Sequence, residues 1–361
     1  MPVKNVVLGF VMFSLVLAGC EAEEGKHEQM VNLNEVKEDT EGQLKHLNEA
    51  IRKSKRDGSL YTRRAVVFLR KGELEEALAD ANKAVSLTKN DPFSLFIKAQ
   101  ILRALNKPEE ALPLALQAER NSFQSSSLYV LLGELYLQQK DYQQARAYLD
   151  KAQQMSPYDE FAFYYKGRLA EISKDTSRAI RNYKLALEQA PEFMEPQREL
   201  AGLYVAKGDY VTAKPYLMQA REKAEKDGLV WYYTGLLYQG EQKQDSAAYS
   251  FAKAVALTDT LQEAHYKLGL LRYNQGDTDA SLRHLEKATR YKGKPGYLMT
   301  LAGAYERSGQ YDKSLQAYQH LVALEPRNTY GNQAVSRLKY KIEKPLPDTT
   351  NVVQEEIEQL D

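Results

Sequence analysis

The clearest pattern of apolar and polar positions lies in residues 126–159, where apolar residues recur at three- and four-residue steps in two successive stretches. This spacing predicts two amphipathic α-helices. A polar turn at Asp141 separates the stretches, and Pro157 ends the second. Gly133 and Ala145 are small residues at the points where the two helices would have to cross closely. The segment therefore predicts a helix-turn-helix unit.

The unit repeats along most of the chain. Residues equivalent to Gly133 recur at intervals of 34 residues, except that the last interval is 33; they are Ala65, Ala99, Gly167, Ala201, Gly235, Gly269 and Ala302. A second small residue follows each of these twelve positions later: Ala77, Ala111, Ala145, Ala179, Ala213, Ala247, Ser281 and Ser314. This regularity predicts eight copies of the helical pair within residues 58–328.

The size pattern and the 34-residue period resemble the tetratricopeptide repeat. The resemblance implies an all-α fold, a right-handed superhelical solenoid of about eight repeats, in which each unit buries its apolar face against its neighbours. Capping helices are expected over 43–57 and 329–343, with Asp57-Gly58 ending the first of them. The chain of 361 residues would otherwise suggest two or three globular domains.

Charge and cysteine content narrow the function further. Lys plus Arg and Asp plus Glu number 49 each, so no net charge favours nucleic acid as a partner. Residues 1–19 carry an early lysine and then an apolar stretch, which is typical of a signal peptide. They lead into Cys20, the only cysteine of the chain. Leu17 to Cys20 resembles a bacterial lipobox, which implies lipidation of Cys20 and anchoring in a membrane. The alternative is an ordinary signal peptide or anchor helix that ends in cysteine.

The segments outside the repeats are polar. Residues 20–42 have few apolar residues and many charges, which predicts a flexible acidic linker. Glu21–Glu24 resembles the surface-export signal of Bacteroidota-type lipoproteins, and a merely charged linker explains it equally well. Because Glu21 is not the aspartate that retains enteric lipoproteins in the inner membrane, the outer membrane is favoured. Residues 344–361 are expected to form a flexible acidic tail.

No pattern indicates catalysis. The sequence has no glycine-rich phosphate loop and no nucleophile motif. Its five histidines lie far apart without metal-ligand spacing: His27, His46, His265, His284 and His320. We therefore expect no enzyme, no cofactor and no metal. Three Asp-Ser/Thr triplets, beginning at Asp245, Asp259 and Asp348, match a Bacteroidota-type O-glycosylation acceptor only weakly.

In tetratricopeptide proteins the first helix of each repeat lines a concave groove, so the resemblance implies which positions contact a partner. Tyrosine and arginine there are typical of binding hot spots. The candidate groove residues are Phe93, Phe96, Arg103, Phe161, Tyr164, Tyr165, Arg168, Arg198, Tyr232, Tyr233, Tyr266 and Tyr273. About half of the rings are expected to pack on a neighbouring repeat instead. The lysine and asparagine positions of a carboxylate clamp are occupied by other residues, so the ligand of that clamp is not supported.

Three functions remain. The leading interpretation is a membrane-tethered scaffold that binds an envelope protein or peptide in its groove, for assembly, secretion or adaptor work. The partner segment would carry apolar anchors and at least one acidic residue. The alternative is a glycan- or peptidoglycan-binding envelope receptor, for which coplanar aromatic pairs beside carboxylates would be the sign. An enzyme is the third and least supported.

Overall fold

The structure is a computed structural model that describes residues 40–290 and 293–344. The predicted signal peptide, Cys20, most of the acidic linker and residues 345–361 lie outside the described residues. No helix in the described part of the chain is long and apolar enough to cross a membrane.

The described residues form helices and no strands. In chain order the helices are α1 Thr40–Lys53, α2 Gly58–Lys71, α3 Leu74–Thr88, α4 Pro92–Ala104, α5 Pro108–Arg120, α6 Ser126–Gln138, α7 Tyr142–Met155, α8 Glu160–Ile172, α9 Thr176–Gln189, α10 Met194–Ala206, α11 Tyr210–Lys223, α12 Gly228–Gly240, α13 Gln244–Leu257, α14 Gln262–Gln275, α15 Thr278–Thr289, α16 Pro295–Arg307, α17 Tyr311–Leu324 and α18 Thr329–Glu343. The predicted all-α fold of eight helical pairs between two flanking helices is confirmed.

Helices that follow one another in the sequence also pack against one another. Each even-numbered helix from α2 to α16 is the first helix of a repeat, and it packs closely on the second helix that follows it. First helices of successive repeats also touch, for example α4 with α6 and α6 with α8. They therefore form a shared surface, called here the first-helix face. Side chains that are about one repeat apart in sequence can meet on this face.

Small residues sit where the paired helices cross, as predicted. The alanine positions of the second helices, Ala77, Ala111, Ala145, Ala179, Ala213 and Ala247, are 0% exposed, and so are Ser281 and Ser314. Opposite them, a Cβ on Gly133 would come 2.7 Å from Leu149 and 3.4 Å from the carbonyl oxygen of Ala145. The absence of a side chain at Gly133 lets Leu149 fill the crossing.

The N-terminal boundary differs from the prediction. Helix α1 begins at Thr40, three residues before the predicted start at 43, and Glu41 in its first turn complements the helix dipole. It ends at Lys53. Asp57 does not end this helix: its side chain accepts a hydrogen bond of 3.0 Å from the backbone N–H of Ser59. Asp57 therefore caps the start of α2, since orphan N–H groups there need an acceptor.

The turn within every repeat uses a left-handed residue. Glycine occupies this position at Gly72, Gly208, Gly276 and Gly309, with φ between 74° and 82°. The other four repeats place a residue with a side chain there, with φ between 58° and 64°: Asn106, Lys140, Lys174 and Gln242. Residues with a Cβ adopt this conformation only at a cost in free energy.

Lys174→Gly is therefore expected to stabilise the protein by about 0.5–1 kcal/mol, because relief of the left-handed strain exceeds the added entropy of the unfolded chain. Lys174 is exposed, with φ of 58°. Urea unfolding followed by circular dichroism measures the change. Lys174→Ala keeps the Cβ and is the control. Equal stability of the two variants would contradict the prediction.

Candidate partner-binding site

A pocket of about 360 Å³ opens on the first-helix face between α4, α6, α8 and α10. Four of the residues that the sequence proposed for the groove line it, although they come from two different repeats: Arg103, Phe161, Tyr164 and Tyr165. Val130 and Leu131 of α6 add an apolar surface. The structure thus brings these four residues together, and their role in binding stays a prediction.

One wall of the pocket is aromatic. The Phe161 and Phe193 rings have their centroids 5.0 Å apart at an interplanar angle of 59°, and Tyr164 lies 5.3 Å from Phe193 at 55°. Tyr165 meets Tyr164 edge-on at 4.9 Å. Tyr164 is buried, whereas Phe161 is 47% exposed. An apolar ring that is half in water is available for contact with a partner.

The charged residues of the pocket are mostly acidic. Glu134, Asp159 and Glu195 line it together with the single guanidinium of Arg103. Glu134 is 8% exposed, and its carboxylate lies 3.7 Å from Arg103 Nε. Burial and, after it, the Glu134 carboxylate raise the pKa of Tyr165, so this phenol stays protonated. The pocket therefore combines aromatic rings with three carboxylates and one cation.

Phe193 was missed at the sequence level because it lies between helices. Phe193 is the N-cap residue of α10. In most repeats the N-cap residue of the first helix has a side chain that accepts a hydrogen bond from a backbone N–H group; these residues are Asp57, Asp91, Ser125, Asp159 and Asp227. Phe193 makes no such bond. An apolar ring at a capping position was the available signal, since capping favours small polar residues.

The two arginines expected to meet an acidic partner are engaged within the chain. Arg198 donates from Nη2 to Glu199 Oε1 at 2.6 Å and from Nη1 to Asp227 Oδ2 at 2.7 Å. Although burial alone would lower the pKa of Arg198, these carboxylates hold it above its usual value. Arg168 donates to the hydroxyl of Tyr164 at 3.1 Å. Both arginines are therefore already hydrogen-bonded within the chain.

The two N-terminal aromatic candidates, Phe93 and Phe96, differ in burial. Phe96 is 5% exposed and packs on Phe123 at 5.1 Å, so it belongs to the core and not to the groove. Phe93 is 42% exposed and borders a separate hollow of about 540 Å³ beside α1 and α2. Leu47 and Val67 also line this hollow.

The C-terminal candidates pack largely on neighbouring repeats. Tyr233 fills the space over Gly202, where a Cβ would be 2.6 Å from its ring. Tyr266 stacks on Tyr297 at 3.9 Å and 13°. The Tyr273 ring lies 5.2 Å from the Arg307 guanidinium, and Tyr232 is half-buried beside Tyr233. Burial raises the pKa of Tyr232 to about 12, with Tyr297 and Glu263 adding to it. These rings therefore contribute to packing between repeats.

Two histidines that are far apart in sequence, His265 and His284, meet in the seventh repeat. His265 and His284 place their Nδ1 atoms 3.0 Å apart. The Nε2–H of His265 donates to the Asp259 carbonyl at 3.0 Å, so its Nδ1 accepts from His284. Burial, His265 and then nearby cations lower the pKa of His284 to about 4. The pair is neutral and hydrogen-bonded, and no group of three or more potential metal ligands occurs among the described residues.

Two family models match parts of the chain. One, described as tetratricopeptide repeat, matches residues 44–94 and 266–329. The other, described as anaphase-promoting complex, cyclosome, subunit 3, matches residues 70–152. The matched repeats and the packed helical pairs decide the fold. It is a tetratricopeptide-repeat solenoid. This fold is typical of scaffolds for protein–protein interaction.

The similar proteins that follow are distant in sequence. The bovine BBSome complex member BBS4 is 22% identical over 275 residues, which are 76% of this chain and 53% of that protein. The solved APC/C hetero-tetramer Cut9-Hcn1 gives a TM-score of 0.65 at 15% identity, covering 82% of this chain and 58% of that one. The solved structure of PilF of Pseudomonas aeruginosa gives a TM-score of 0.52 at 18% identity. The match covers 61% of this chain and 97% of that one. The chain spans about half the length of the curated relative, and these likenesses show the fold alone.

Proposed function

We propose that the chain is a membrane-tethered scaffold of a bacterial envelope that captures a peptide segment of another envelope protein in the aromatic pocket. The half-exposed Phe161 ring beside Phe193, at a centroid distance of 5.0 Å, is the observation that carries the binding role. It offers apolar area that the fold itself leaves uncovered.

Tethering is supported by the sequence motif alone. Cys20 is the only cysteine and follows an apolar stretch of the length found in signal peptides. Lipidation there, with more than one acyl chain, would hold the protein stably on a membrane. The residue after it, Glu21, favours the outer membrane, on its periplasmic face or at the cell surface.

The ring geometry favours a peptide over a glycan. Sugar rings stack on flat aromatic platforms, whereas the pocket rings are tilted by 55–59° against one another. Within the described residues, the near-parallel ring pairs stack on each other at centroid distances of 3.9–6.0 Å, and none of them lines this pocket: Tyr136 with Tyr148, Tyr204 with Tyr216 and Tyr266 with Tyr297. A tilted apolar cleft suits a side chain of a polypeptide, which enters as an anchor.

Phe161→Ala is expected to weaken partner binding by about 2 kcal/mol, or roughly 30-fold, because central aromatic anchors carry most of the binding energy of an interface. Helicity should not change, since the ring is 47% exposed. Partners are recovered from detergent-solubilised envelopes on the immobilised protein and identified by mass spectrometry, and their affinities for the purified variants are then measured.

The matched control is Tyr142→Ala, which removes an exposed ring from α7, the second helix of its repeat. Phe193→Ser is a second pocket variant, which restores a capping side chain of the kind found at Ser125 while removing the ring. The true partner is lost with both pocket variants and retained by the control. Recovery of every partner by Phe161→Ala would place binding elsewhere.

Cys20→Ala is expected to abolish acylation and to release the protein from the membrane fraction or leave an unprocessed precursor. The reason is that acyl transfer requires the thiol, which no other residue of the chain supplies. Metabolic labelling with a clickable fatty acid, followed by sucrose-gradient fractionation of the membranes, measures both effects. Acyl label that persists in the variant would refute the anchor, and sedimentation of wild type with the inner membrane would refute the outer-membrane location.

A further inference from the structure

The aromatic pocket leaves part of two rings exposed. Phe161 is 47% exposed and Phe193 is partly exposed, and the two rings lie 5.0 Å apart at 59°. The face of an aromatic ring is electronegative and attracts cations that approach within about 6 Å of its centroid. Exposed aromatic rings in the pocket lining therefore favour a cationic side chain over a carboxylate.

One carboxylate of the pocket is free to pair with such a cation. Glu195 lies in the first turn of α10, and among the residues that the structure describes it has neither an ion pair nor a side-chain hydrogen bond. The Asp159 carboxylate, in contrast, is hydrogen-bonded within the chain. Its Oδ1 accepts a hydrogen bond from the backbone N–H of Ala162 at 2.9 Å, and its Oδ2 accepts one from Ser126 Oγ at 2.5 Å.

Arg103, the basic residue in the pocket lining, does not reverse the preference for a cationic side chain. Arg103 lies 3.7 Å from the buried carboxylate of Glu134, which offsets its charge. With the Arg103–Glu134 pair offset, the carboxylates of Asp159 and Glu195 remain in the pocket. They repel an entering carboxylate and attract an entering guanidinium or ammonium. At such short range in a half-buried site, like charges repel measurably. Charge and ring chemistry thus act in the same direction.

We propose that the partner segment inserts a basic side chain, arginine or lysine, into this pocket, with its charged group against the exposed part of the Phe161 ring and paired with Glu195. The inference rests on the proposed capture of a peptide at this pocket. It reverses the acidic anchor expected from the sequence, because the arginines that suggested it are bonded within the chain.

The test uses three short capped peptides of alanine, leucine and serine that differ only in a central arginine, norleucine or glutamate. Binding to the whole folded chain is followed by NMR titration with labelled phenylalanine and by fluorescence anisotropy. We expect the arginine peptide to bind on the order of 10-fold more tightly than the glutamate peptide, with norleucine between them. Raising the salt concentration should reduce the difference in affinity between the arginine and glutamate peptides.

Glu195→Gln should reduce the affinity for the arginine peptide to near that for the norleucine peptide and leave the norleucine peptide unaffected. Because Glu195 has no partner among the described residues, this change leaves no group of the fold unpaired. The matched control is Glu188→Gln, which removes one exposed carboxylate from α9, outside the pocket lining. It should leave all three affinities unchanged.

Tighter or equal binding of the glutamate peptide, equal binding of all three, or no measurable binding of any would each overturn the basic anchor. So would equal effects of Glu195→Gln and Glu188→Gln. The proposed function has a separate readout, the dependence of partner recovery on Phe161. If recovery depends on Phe161 while the peptides show no preference for arginine, peptide capture stands and the basic anchor fails.

Discussion

Arg198→Met is expected to lower the free energy of unfolding by about 3 kcal/mol, since it leaves carboxylates in a largely buried site without their cation. Arg198 bonds Glu199 at 2.6 Å and Asp227 at 2.7 Å, and the side chains of the three residues are 15%, 10% and 20% exposed. Glu199 would have to be buried as a lone charge or take up a proton. Urea unfolding monitored by circular dichroism measures the loss.

The control is a solvent-exposed ion pair on the protein surface. Arg178 and Asp175 lie 3.3 Å apart with side chains that are 54% and 40% exposed, so Arg178→Met should change stability by no more than about 0.5 kcal/mol. Adding Glu199→Leu to Arg198→Met should recover part of the stability by removing the unpaired charge. If Arg198→Met is as stable as Arg178→Met but loses partner binding, Arg198 is a binding residue after all.

Gly167→Ala is expected to destabilise the chain by about 1–3 kcal/mol, although alanine normally favours a helix. A Cβ at Gly167 would lie 2.4 Å from the ring of Tyr183, which is fully buried. The ring cannot move easily, because its hydroxyl donates to Glu171. Since repeats stabilise one another through their interfaces, hydrogen exchange should speed up in neighbouring repeats as well.

Gly303→Ala provides the matched control. In α16 a Cβ at Gly303 would meet nothing closer than the Tyr273 hydroxyl, at 3.8 Å. The substitution should therefore stabilise the helix by about 0.5–1 kcal/mol through propensity alone. Thermal unfolding of both variants separates the two effects. Stabilisation by both would mean that the helices do not cross at Gly167.

Much of the site followed from the repeat pattern. Once Gly133 and Gly167 define the crossing positions, residues at fixed offsets from them must lie on the first-helix face. Helices α4, α6 and α8 then bring Arg103, Phe161 and Tyr165 to one pocket without any further information. The pattern did not separate Phe96 from Phe93, because neighbouring positions of one helix differ in burial only through the side chains of the next repeat.

The sequence by itself determined the eight helical pairs and the crossings at which only small residues fit. Both follow from a 34-residue period and residue size, which are local properties of the chain. The tertiary structure alone decided which charges are paired and which rings remain open. Arg198 reaches Asp227 and His265 reaches His284 because helices from different parts of the chain place them at hydrogen-bond distance. Such contacts depend on side-chain rotamers and on the distance between helices, and neither quantity is encoded in the period.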